Sequence, residues 1–453
     1  MDSWKVSWKN FRGFEKEVNL TFPRLTVLIG RNNVGKTSAY APLLLLRQTL
    51  NASDPRTALL TRGELIDAGS YRDLITDHDT SKNLQLSLGL NRQVVGENLS
   101  RRKAAGRLEV TFGIHGEEDI VLTKSRILDE DGKPLVTRSR SEKGYYTVSS
   151  PILPSASGAG RPLREISLLR RALRDEQPKG FQFNGMRALV IPRDWREDRE
   201  RWVKAQGWLS AVSELVDLYW DVNHEIDSKL GSISYLGPLR SLPKRTYQIS
   251  AERPTEVGRD GEFASELLLR NASEEVRGLV NDWLVRLGYG RLDFEMRGDD
   301  YFQVYLCSEG KRDLQVNLAH CGVGLSQLLP TLVQGVTAPK NGTLISQQPE
   351  IHLNPAQQCL VTDFLVETAL TDRRVIVETH SEHILLRLRR RIAEGKISSS
   401  DVAVYYCDSQ AGRSVIERVS MGDKAELERS DWPAGFFEEQ LEDSMALAVA
   451  QMR

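Results

Sequence analysis

The sequence predicts an α/β fold in which mixed β-sheets are flanked by helices, with an inserted β-arm and a helical segment. Apolar runs at 25–29, 343–345 and 374–377 each precede a helix-like segment, which is the pattern of buried parallel strands. Between about residues 86 and 148 the pattern is that of alternating strands broken by turns. Charged stretches at 165–175 and 194–226 have the periodicity of amphipathic helices.

Four segments follow from these patterns. Residues 1–90 are expected to form the N-terminal part of the main α/β domain, and residues 235–420 its C-terminal part. Residues 91–234 would be an insertion that contains the β-arm, the helices and a linker rich in Ser, Gly and Pro at 149–162. Residues 421–453 would be a C-terminal appendix.

Composition limits the class of function. The chain has 453 residues, of which 40% are hydrophobic and 27% charged, and a net charge of -1, so it has the balance of a globular protein without global attraction to nucleic acid. No run of about 18 apolar residues and no secretory signal pattern occurs, so a cytoplasmic location without membrane insertion is expected. The four cysteines are scattered, which indicates reduced thiols rather than a metal centre.

A glycine-rich loop after the first apolar run carries the clearest chemical signal. GRNNVGKT matches GxxxxGK[ST], with a strand before it and a helix after it, as a phosphate-binding loop requires. Lys36 would contact the β- and γ-phosphates of a nucleotide, and Thr37 would hold Mg²⁺. The alternative is a chance glycine-rich turn. The predicted binding residues are Gly30, Arg31, Asn32, Asn33, Val34, Gly35, Lys36, Thr37 and Ser38.

Three later features are ordered along the chain. The segment GVGLSQLLP at 322–330 opens an apolar helix with glycines, which would point a helix N-terminus at an anion. The apolar run at 343–345 leads through Ser346 into two glutamines, Gln347 and Gln348, and the apolar run at 374–377 is followed by Glu378, Thr379, His380 and Ser381. Taken singly, the glycines could form a plain helix cap, and His380 could be a hydrogen-bonded histidine at a strand end.

Taken together, these motifs have the order of phosphate loop, signature helix, Walker B strand and switch histidine. The chain resembles the AAA-family, ABC-type ATPases related to the OLD and RecF/SMC groups, of the bacterial kind with an uncharacterised C-terminal domain. The resemblance also rests on FRGF at 11–14, YLGPLR at 235–240, QPEIHLNP at 348–355 and WPAGFF at 432–437. The segment between about 90 and 234 carries no assigned motif.

This resemblance implies an ATP-binding head whose fold is that of ABC-type ATPases, with ATP and Mg²⁺ as cofactors. It implies a head-to-tail homodimer in which Gly322, Gly324 and Ser326 of one subunit close on the γ-phosphate held by the other. His380 would read the γ-phosphate or position water. His352 and Asn354 would lie in the loop after the Walker B strand, near the dimer seam.

The sequence departs from the family at the Walker B strand. The related proteins end this strand with one or two acidic residues before Pro-Glu, whereas this chain has Gln347 and Gln348. A glutamine has the shape of glutamate but carries no charge, so water activation would suffer. The expected catalytic set is Gln347, Gln348, Glu350 and His380, with Thr37 and Gln347 at the metal. Either Glu350 or Glu378 substitutes in a slow hydrolase, or the chain has been altered to hold ATP.

Two functions remain open. The first is an ATP-gated dimeric regulator or sensor that controls a separate effector such as a nuclease, because proteins with these motifs occur in bacterial antiphage defence. The second is a RecF-like DNA-binding ATPase of repair or chromosome maintenance, in which Arg-rich stretches at 170–174 and 387–391 would meet phosphates. Such stretches are also typical of a solvated helix face. A small-molecule kinase would leave the late motifs unexplained.

Overall fold

The computed structural model divides the chain into two compact units. The parallel-sheet unit comprises Phe22–Thr37 and Ser232–Arg453 together with Met1–Ser3, and the antiparallel-sheet unit comprises Trp4–Thr21 and Ser38–Gly231. The boundaries of the four segments predicted from the sequence stay a prediction. The structure describes residues 3–54, 56–90, 105–116, 119–153, 181–182, 199–308, 314–426, 446–447 and 449–451.

The antiparallel-sheet unit is built on a sheet of seven strands in the spatial order β2-β1-β4-β5-β6-β7-β8. The predicted β-arm is therefore continuous with the first strands of the chain, because β1 pairs with β4 and β4 pairs with β5. Its strands are β1 (Trp4–Lys9), β2 (Val18–Phe22), β4 (Leu84–Gly89), β5 (Ala105–His115), β6 (Asp119–Asp129), β7 (Pro134–Arg140) and β8 (Tyr146–Ser149).

Three helices in the described residues of this unit are α1 (Ala41–Leu50), α2 (Tyr71–Leu74) and α3 (Arg199–Gly231). The helix α1 begins with a proline in its first turn, where a missing N–H costs no hydrogen bond, and nearly all of its side chains are buried. The predicted helix at 194–226 corresponds to α3. The predicted helix at 165–175 and most of the linker at 149–162 lie outside the described residues.

The parallel-sheet unit contains a sheet of six strands in the order β17-β16-β3-β15-β14-β9. Five of them are parallel, and β17 pairs antiparallel at the edge. The predicted apolar strands occupy the middle of this sheet, where both faces are covered and side chains are buried throughout. The strands are β3 (Leu25–Gly30), β9 (Ile233–Leu236), β14 (Thr343–Gln347), β15 (Arg374–Glu378), β16 (Val402–Gln410) and β17 (Arg413–Val419).

The described residues of this unit also contain a smaller antiparallel sheet and further helices. Their apolar faces and those of the parallel strands share one hydrophobic core, which includes Trp283, Phe302 and Phe364. The sheet has the strands β10 (Tyr247–Gln248), β11 (Arg291–Met296), β12 (Tyr301–Cys307) and β13 (Gln315–Asn317). The helices are α4 (Ala264–Arg270), α5 (Glu274–Arg286), α6 (Val323–Thr337), α7 (Pro355–Leu370) and α8 (Glu382–Ala393). No helix in the described parts of the chain has the length and apolar character needed to span a bilayer.

An ion-pair cluster joins α7 to α8. Asp363, which is 5% exposed, accepts two hydrogen bonds from Arg387 at 3.0 and 2.6 Å and two from Arg391 at 2.6 and 2.8 Å. Burial raises the pKa of Asp363, but the hydrogen bonds from Arg391 and Arg387 outweigh it and hold the pKa at about 2. The cluster therefore links α7, the helix after β14, to α8, the helix after β15.

Asp363→Ala is expected to destabilise the protein by about 3 kcal/mol, the lower end of the range for breaking a buried ion pair, because it removes the carboxylate that Arg387 and Arg391 share and leaves Arg391 with Glu394 alone. Urea unfolding measures this loss. Glu367→Ala on the same helix is the control, since its pair with Arg286 is exposed on both sides and is worth less than about 1 kcal/mol. Equal losses in the two variants would contradict this account.

The ion-pair cluster at Asp363 also predicts that the stability of the protein depends on pH. Because the folded-state pKa of Asp363 lies below that of an unfolded aspartate, its contribution is fully present above about pH 4 and is lost as the pH falls toward 2. In Asp363→Ala the free energy of unfolding should therefore fall less steeply between about pH 4 and pH 2 than in wild type. Urea unfolding at each pH measures it.

Candidate functional site

The predicted phosphate loop follows β3 at the carboxyl end of the parallel sheet. Gly30 has φ +139°, and a Cβ at this position would lie 2.1 Å from the carbonyl oxygen of Cys407 in β16. The glycine is therefore required by the close approach of a neighbouring strand as well as by the turn. Gly35 (φ 101°) and Asn33 (φ 60°) also lie in the left-handed region. Arg31, Asn32 and Asn33 are exposed, and Val34 is buried.

Lys36 is the buried cation of this loop and is 5% exposed, whereas Arg31 is exposed. Its ammonium donates to the carbonyl oxygens of Gly30 at 3.0 Å and Arg31 at 2.5 Å. Burial lowers the pKa of Lys36, and the charges of Glu378 and Cys407 act in the opposite direction. Since a lysine ammonium has three donors, one N–H remains for a further acceptor such as a phosphate oxygen.

Ser38, the last residue of the predicted loop set, is buried in a short 3-10 turn at Thr37–Ala39. Its hydroxyl accepts a hydrogen bond from Arg12 at 3.4 Å. Arg12 belongs to the FRGF motif, in which Phe11 and Phe14 are bridged to each other and buried. The motif thus packs beside the start of α1.

Thr37, Gln347 and Glu378 form a tight triad. The Thr37 hydroxyl donates to Glu378 Oε2 at 3.0 Å, and Gln347 Nε2 donates to both Thr37 Oγ1 at 3.0 Å and Glu378 Oε2 at 2.9 Å. Gln347 and Glu378 end the neighbouring strands β14 and β15 and are paired in register. Both predicted metal residues therefore meet here, with Glu378 as the carboxylate beside them.

Tyr235 and Arg240 support this triad, and the sequence analysis gave them no role. The Tyr235 hydroxyl donates to Gln347 Oε1 at 2.8 Å, and burial raises the pKa of Tyr235 to about 12. Arg240 donates to the carbonyl oxygens of Gln347 at 2.6 Å and Gln348 at 2.9 Å, and burial lowers its pKa to about 10. The YLGPLR motif that contains them was the available signal.

Gln348, Glu350 and His380 lie apart from the triad, around a cavity of about 590 Å³. Gln348 has φ 45°, and its backbone N–H donates to the backbone carbonyl of Glu378 at 2.7 Å. The structure thus separates the two glutamines of the Walker B end: Gln347 faces the phosphate loop and Gln348 lines the cavity. The other lining residues are Ile351, His352, Gln358, Ser381, Glu382 and His383.

Glu350 is a buried carboxylate whose two oxygens differ. Its Oε1 accepts from the Thr379 hydroxyl at 2.6 Å and from the backbone N–H of His380 at 3.0 Å, whereas its buried Oε2 has no hydrogen-bond partner among the described residues. Burial raises the pKa of Glu350, opposed by these hydrogen bonds and by Arg240. Burial and the charge of Lys36 lower the pKa of His380, so its imidazole is neutral at pH 7.

The predicted signature segment forms the start of α6. Gly322 is its N-cap, and a Cβ on Gly322 would meet nothing within 4 Å. A Cβ on Gly324 would instead lie 2.8 Å from the carbonyl oxygen of His352, so this glycine permits close packing against the Walker B loop. Ser326 is 5% exposed and donates to the carbonyl of Val323 at 2.6 Å. Asn354 caps α7 by accepting from the N–H of Gln357.

The comparison with known families covers most of the chain. Residues 25–386 match the family described as "AAA domain, putative AbiEii toxin, Type IV TA system". Residues 397–447 match DUF3696, a family described only as a protein of unknown function. None of the curated proteins matches the chain.

Similar solved structures are head domains of SMC proteins. An SMC head bound to the C-winged helix domain of ScpA has a TM-score of 0.40 and 13% identity, with 93% of this chain and 98% of that chain covered. The SMC head from Thermotoga maritima has a TM-score of 0.37 and 12% identity, with 93% and 100% covered. The Pyrococcus furiosus SMC head with an extended coiled coil, bound to the C-terminal domain of ScpA, has a TM-score of 0.39 and 13% identity, with both chains fully covered at 100%.

With TM-scores this low, the α/β assignment depends on the strand order and the phosphate loop, not on these likenesses. The family match extends from the first residue of β3, through the phosphate loop and the Walker B strand, into α8. The chain therefore belongs to this AAA-domain family.

Proposed function

We propose that this protein is an ABC-type ATPase that binds ATP between two copies of itself and thereby controls a partner effector. One observation carries the nucleotide part: Lys36, Thr37, Gln347 and Glu378 converge at the carboxyl edge of a parallel sheet, where α/β proteins bind their ligands. The membership of the AAA-domain family supports the same assignment.

The triad fits Mg²⁺. This ion prefers oxygen ligands and is bound by one or two carboxylates together with phosphates and waters. Thr37 Oγ1, Glu378 and the amide oxygen of Gln347 would hold it, and when bound it would neutralise charge on the phosphates. Among the described residues no group of three or more His, Cys, Asp or Glu side chains is arranged so that it could hold a metal ion by itself.

Other residues of the chain would bind the phosphates and activate water. The ammonium of Lys36 binds the β- and γ-phosphate oxygens, and the loop amides orient them. The cavity residue His380 is placed to donate or accept a hydrogen bond at the terminal phosphate. Glu350, which is buried and whose Oε2 has no hydrogen-bond partner in the part of the chain that the structure describes, would take a proton from water, since Gln347 and Gln348 cannot. Slow hydrolysis and a long-lived ATP-bound state follow.

Dimerisation through the signature helix completes the proposal. Val323 is 48% exposed, and a Cβ on Gly322 would meet no atom of the described residues within 4 Å, which supports access of a phosphate held by a second copy to the N-terminus of α6. The family description names a toxin of a type IV toxin–antitoxin system, which supports a role beside a partner protein. We place that role in bacterial antiphage defence, with a separate effector such as a nuclease.

Mixed dimers test the composite site. Lys36→Ala and Gly322→Asp subunits are each expected to fail to occlude ATP as homodimers, because each homodimer carries the same lesion at both sites. A mixed dimer has one site with both lesions and one with none, so it should trap nucleotide at about half the wild-type amount. Gly322→Asp is preferred to Gly324→Asp, which would collide with the carbonyl of His352. Retention of labelled ATP after gel filtration is the measurement, and no recovery in a dimer with exchanged subunits would contradict the arrangement.

The alternative, a RecF-like DNA-binding ATPase, depended on two Arg-rich stretches. In α8 the arginines are engaged within their own unit: Arg387 and Arg391 bind Asp363, Arg390 binds Glu394 at 2.7 Å, and Arg389 donates to the carbonyl of Ala425 at 3.2 Å. These contacts within the unit favour the regulator over the DNA-binding reading. The second stretch, at 170–174, lies outside the described residues. A salt-dependent shift of duplex DNA by the protein alone would reverse this preference.

A further inference from the structure

The amide nitrogen of Gln347 occupies an unusual position between two oxygens. It donates to Thr37 Oγ1 at 3.0 Å and to Glu378 Oε2 at 2.9 Å, and these two oxygens are themselves 3.0 Å apart. Both N–H groups of the amide are therefore used on the pair of oxygens. The Tyr235 hydroxyl, which donates to Gln347 Oε1 at 2.8 Å, fixes which end of the amide faces them.

We propose that Glu378, not a residue of the Walker B strand, is the carboxylate of the Mg²⁺ site, and that Gln347 is a reversible amide plug for that site. Without the cation, the Gln347 NH₂ group lies against Thr37 and Glu378. With the cation bound, the amide turns and presents its oxygen instead. The inference rests on the proposed binding of ATP with Mg²⁺.

The spacing of the two oxygens supports this assignment. Adjacent ligands of an octahedral Mg²⁺ at 2.0–2.1 Å are about 2.9 Å apart, close to the 3.0 Å that separates Thr37 Oγ1 and Glu378 Oε2. Glu378 is 5% exposed, so its charge needs a compensating donor or cation. The Gln347 NH₂ group supplies a neutral donor in the place where a cation would supply charge.

The neighbours of Gln347 allow the turn without movement of the backbone. A tyrosine hydroxyl can donate or accept, so Tyr235 satisfies the amide oxygen in one orientation and the NH₂ group in the other. The terminal torsion of glutamine is broad and roughly two-fold, which makes this exchange local. Arg240 holds the carbonyl oxygens of Gln347 and Gln348 in either case.

Glu350 is not an alternative for this role. Its Oε1 is bound to Thr379 and to the N–H of His380, and it lines the cavity around Gln348. Thr37, in contrast, is hydrogen-bonded to Glu378 directly. The two carboxylates therefore have different roles. Glu378 would bind the metal, whereas Glu350 lines the cavity.

Calorimetry of ATP binding to the full chain, in EDTA and in Mg²⁺, tests the inference. Wild type is expected to bind ATP more tightly with Mg²⁺. Glu378→Gln should keep its ATP affinity in EDTA, which shows that it is folded. The increase in its ATP affinity on addition of Mg²⁺ should be smaller than that of wild type by a factor of at least about ten. Glu417→Gln, the same change at an exposed position of β17 in the same sheet, is the control and should bind as wild type does.

A carboxylate exchange gives a second readout. The double variant Gln347→Glu with Glu378→Gln moves the single carboxylate to the other side of Thr37, and it should recover the Mg²⁺-dependent gain. Full retention of the gain by Glu378→Gln, or a double variant as weak as Glu378→Gln, would overturn the inference. A wild-type chain that binds no ATP under either condition would instead remove the proposed function, so the two failures are distinguishable.

Discussion

Lys36→Ala is expected to abolish ATP binding. Lys36 is the side-chain cation that the loop directs at the β- and γ-phosphates, and hydrogen bonds to charged groups are worth about 1.5–3 kcal/mol each. Loss of two such bonds weakens affinity by roughly 10²-fold to 10⁴-fold. Calorimetry with ATP measures the loss, and unchanged affinity would remove the central claim.

A second substitution separates charge from shape. In the free protein Lys36 also donates to the carbonyls of Gly30 and Arg31, so alanine could disturb the loop itself. Lys36→Gln keeps much of the stem and a donor but has no charge, and it should lose nearly as much affinity as Lys36→Ala. Lys340→Ala, at an exposed lysine of the same unit, should bind ATP as wild type does.

Gln347→Glu is expected to raise ATP hydrolysis, by up to the roughly 10²- to 10⁴-fold range of general-base assistance. The change places a carboxylate beside Thr37, where the related ATPases carry their acidic residue. Gln348→Glu should help less, because Gln348 lines the cavity and does not contact the triad. Steady-state phosphate release at saturating Mg-ATP compares the three sequences, with Lys36→Ala as the blank.

The gain should require Mg²⁺ and should come with a stability effect. A carboxylate at 347 would lie about as close to Glu378 as the present 2.9 Å contact, and two carboxylates at that distance need a cation or a shared proton. The variant should therefore melt at a lower temperature than wild type in EDTA and recover with Mg-ATP. Brisk hydrolysis by the unaltered chain, with no change in Gln347→Glu, would contradict this prediction and indicate that the base already present is sufficient, and Glu350→Gln would then be tested first.

Much of the fold was predictable because its signals are local. The phosphate loop needs only a strand, glycines and a helix in sequence, and the three apolar runs that were predicted as buried strands are β3, β14 and β15. The composition of these runs reports burial on both faces of a sheet. The predicted β-arm was also correct in its strands, but its pairing with β1 through β4 joins segments that are distant in sequence.

The roles of the acidic residues were not predictable in the same way. The sequence offered both Glu350 and Glu378 as substitutes for the missing carboxylates and had no means to choose between them. The parallel pairing of β14 with β15, in register at Gln347 and Glu378, brings Glu378 to the phosphate loop. The turn after β14 carries Glu350 to the cavity beside His380.

The sequence by itself predicted the phosphate loop and the strands that carry the site, and it placed Gln347 and Gln348 at the end of one of them. Only the tertiary structure decided that Gly30 is needed for the approach of Cys407, that Arg240 and Tyr235 hold Gln347, and which glutamate stands beside Thr37. The physical reason is that strand order and register are set by packing between distant segments. An apolar run specifies that a strand is buried but not which strand lies next to it.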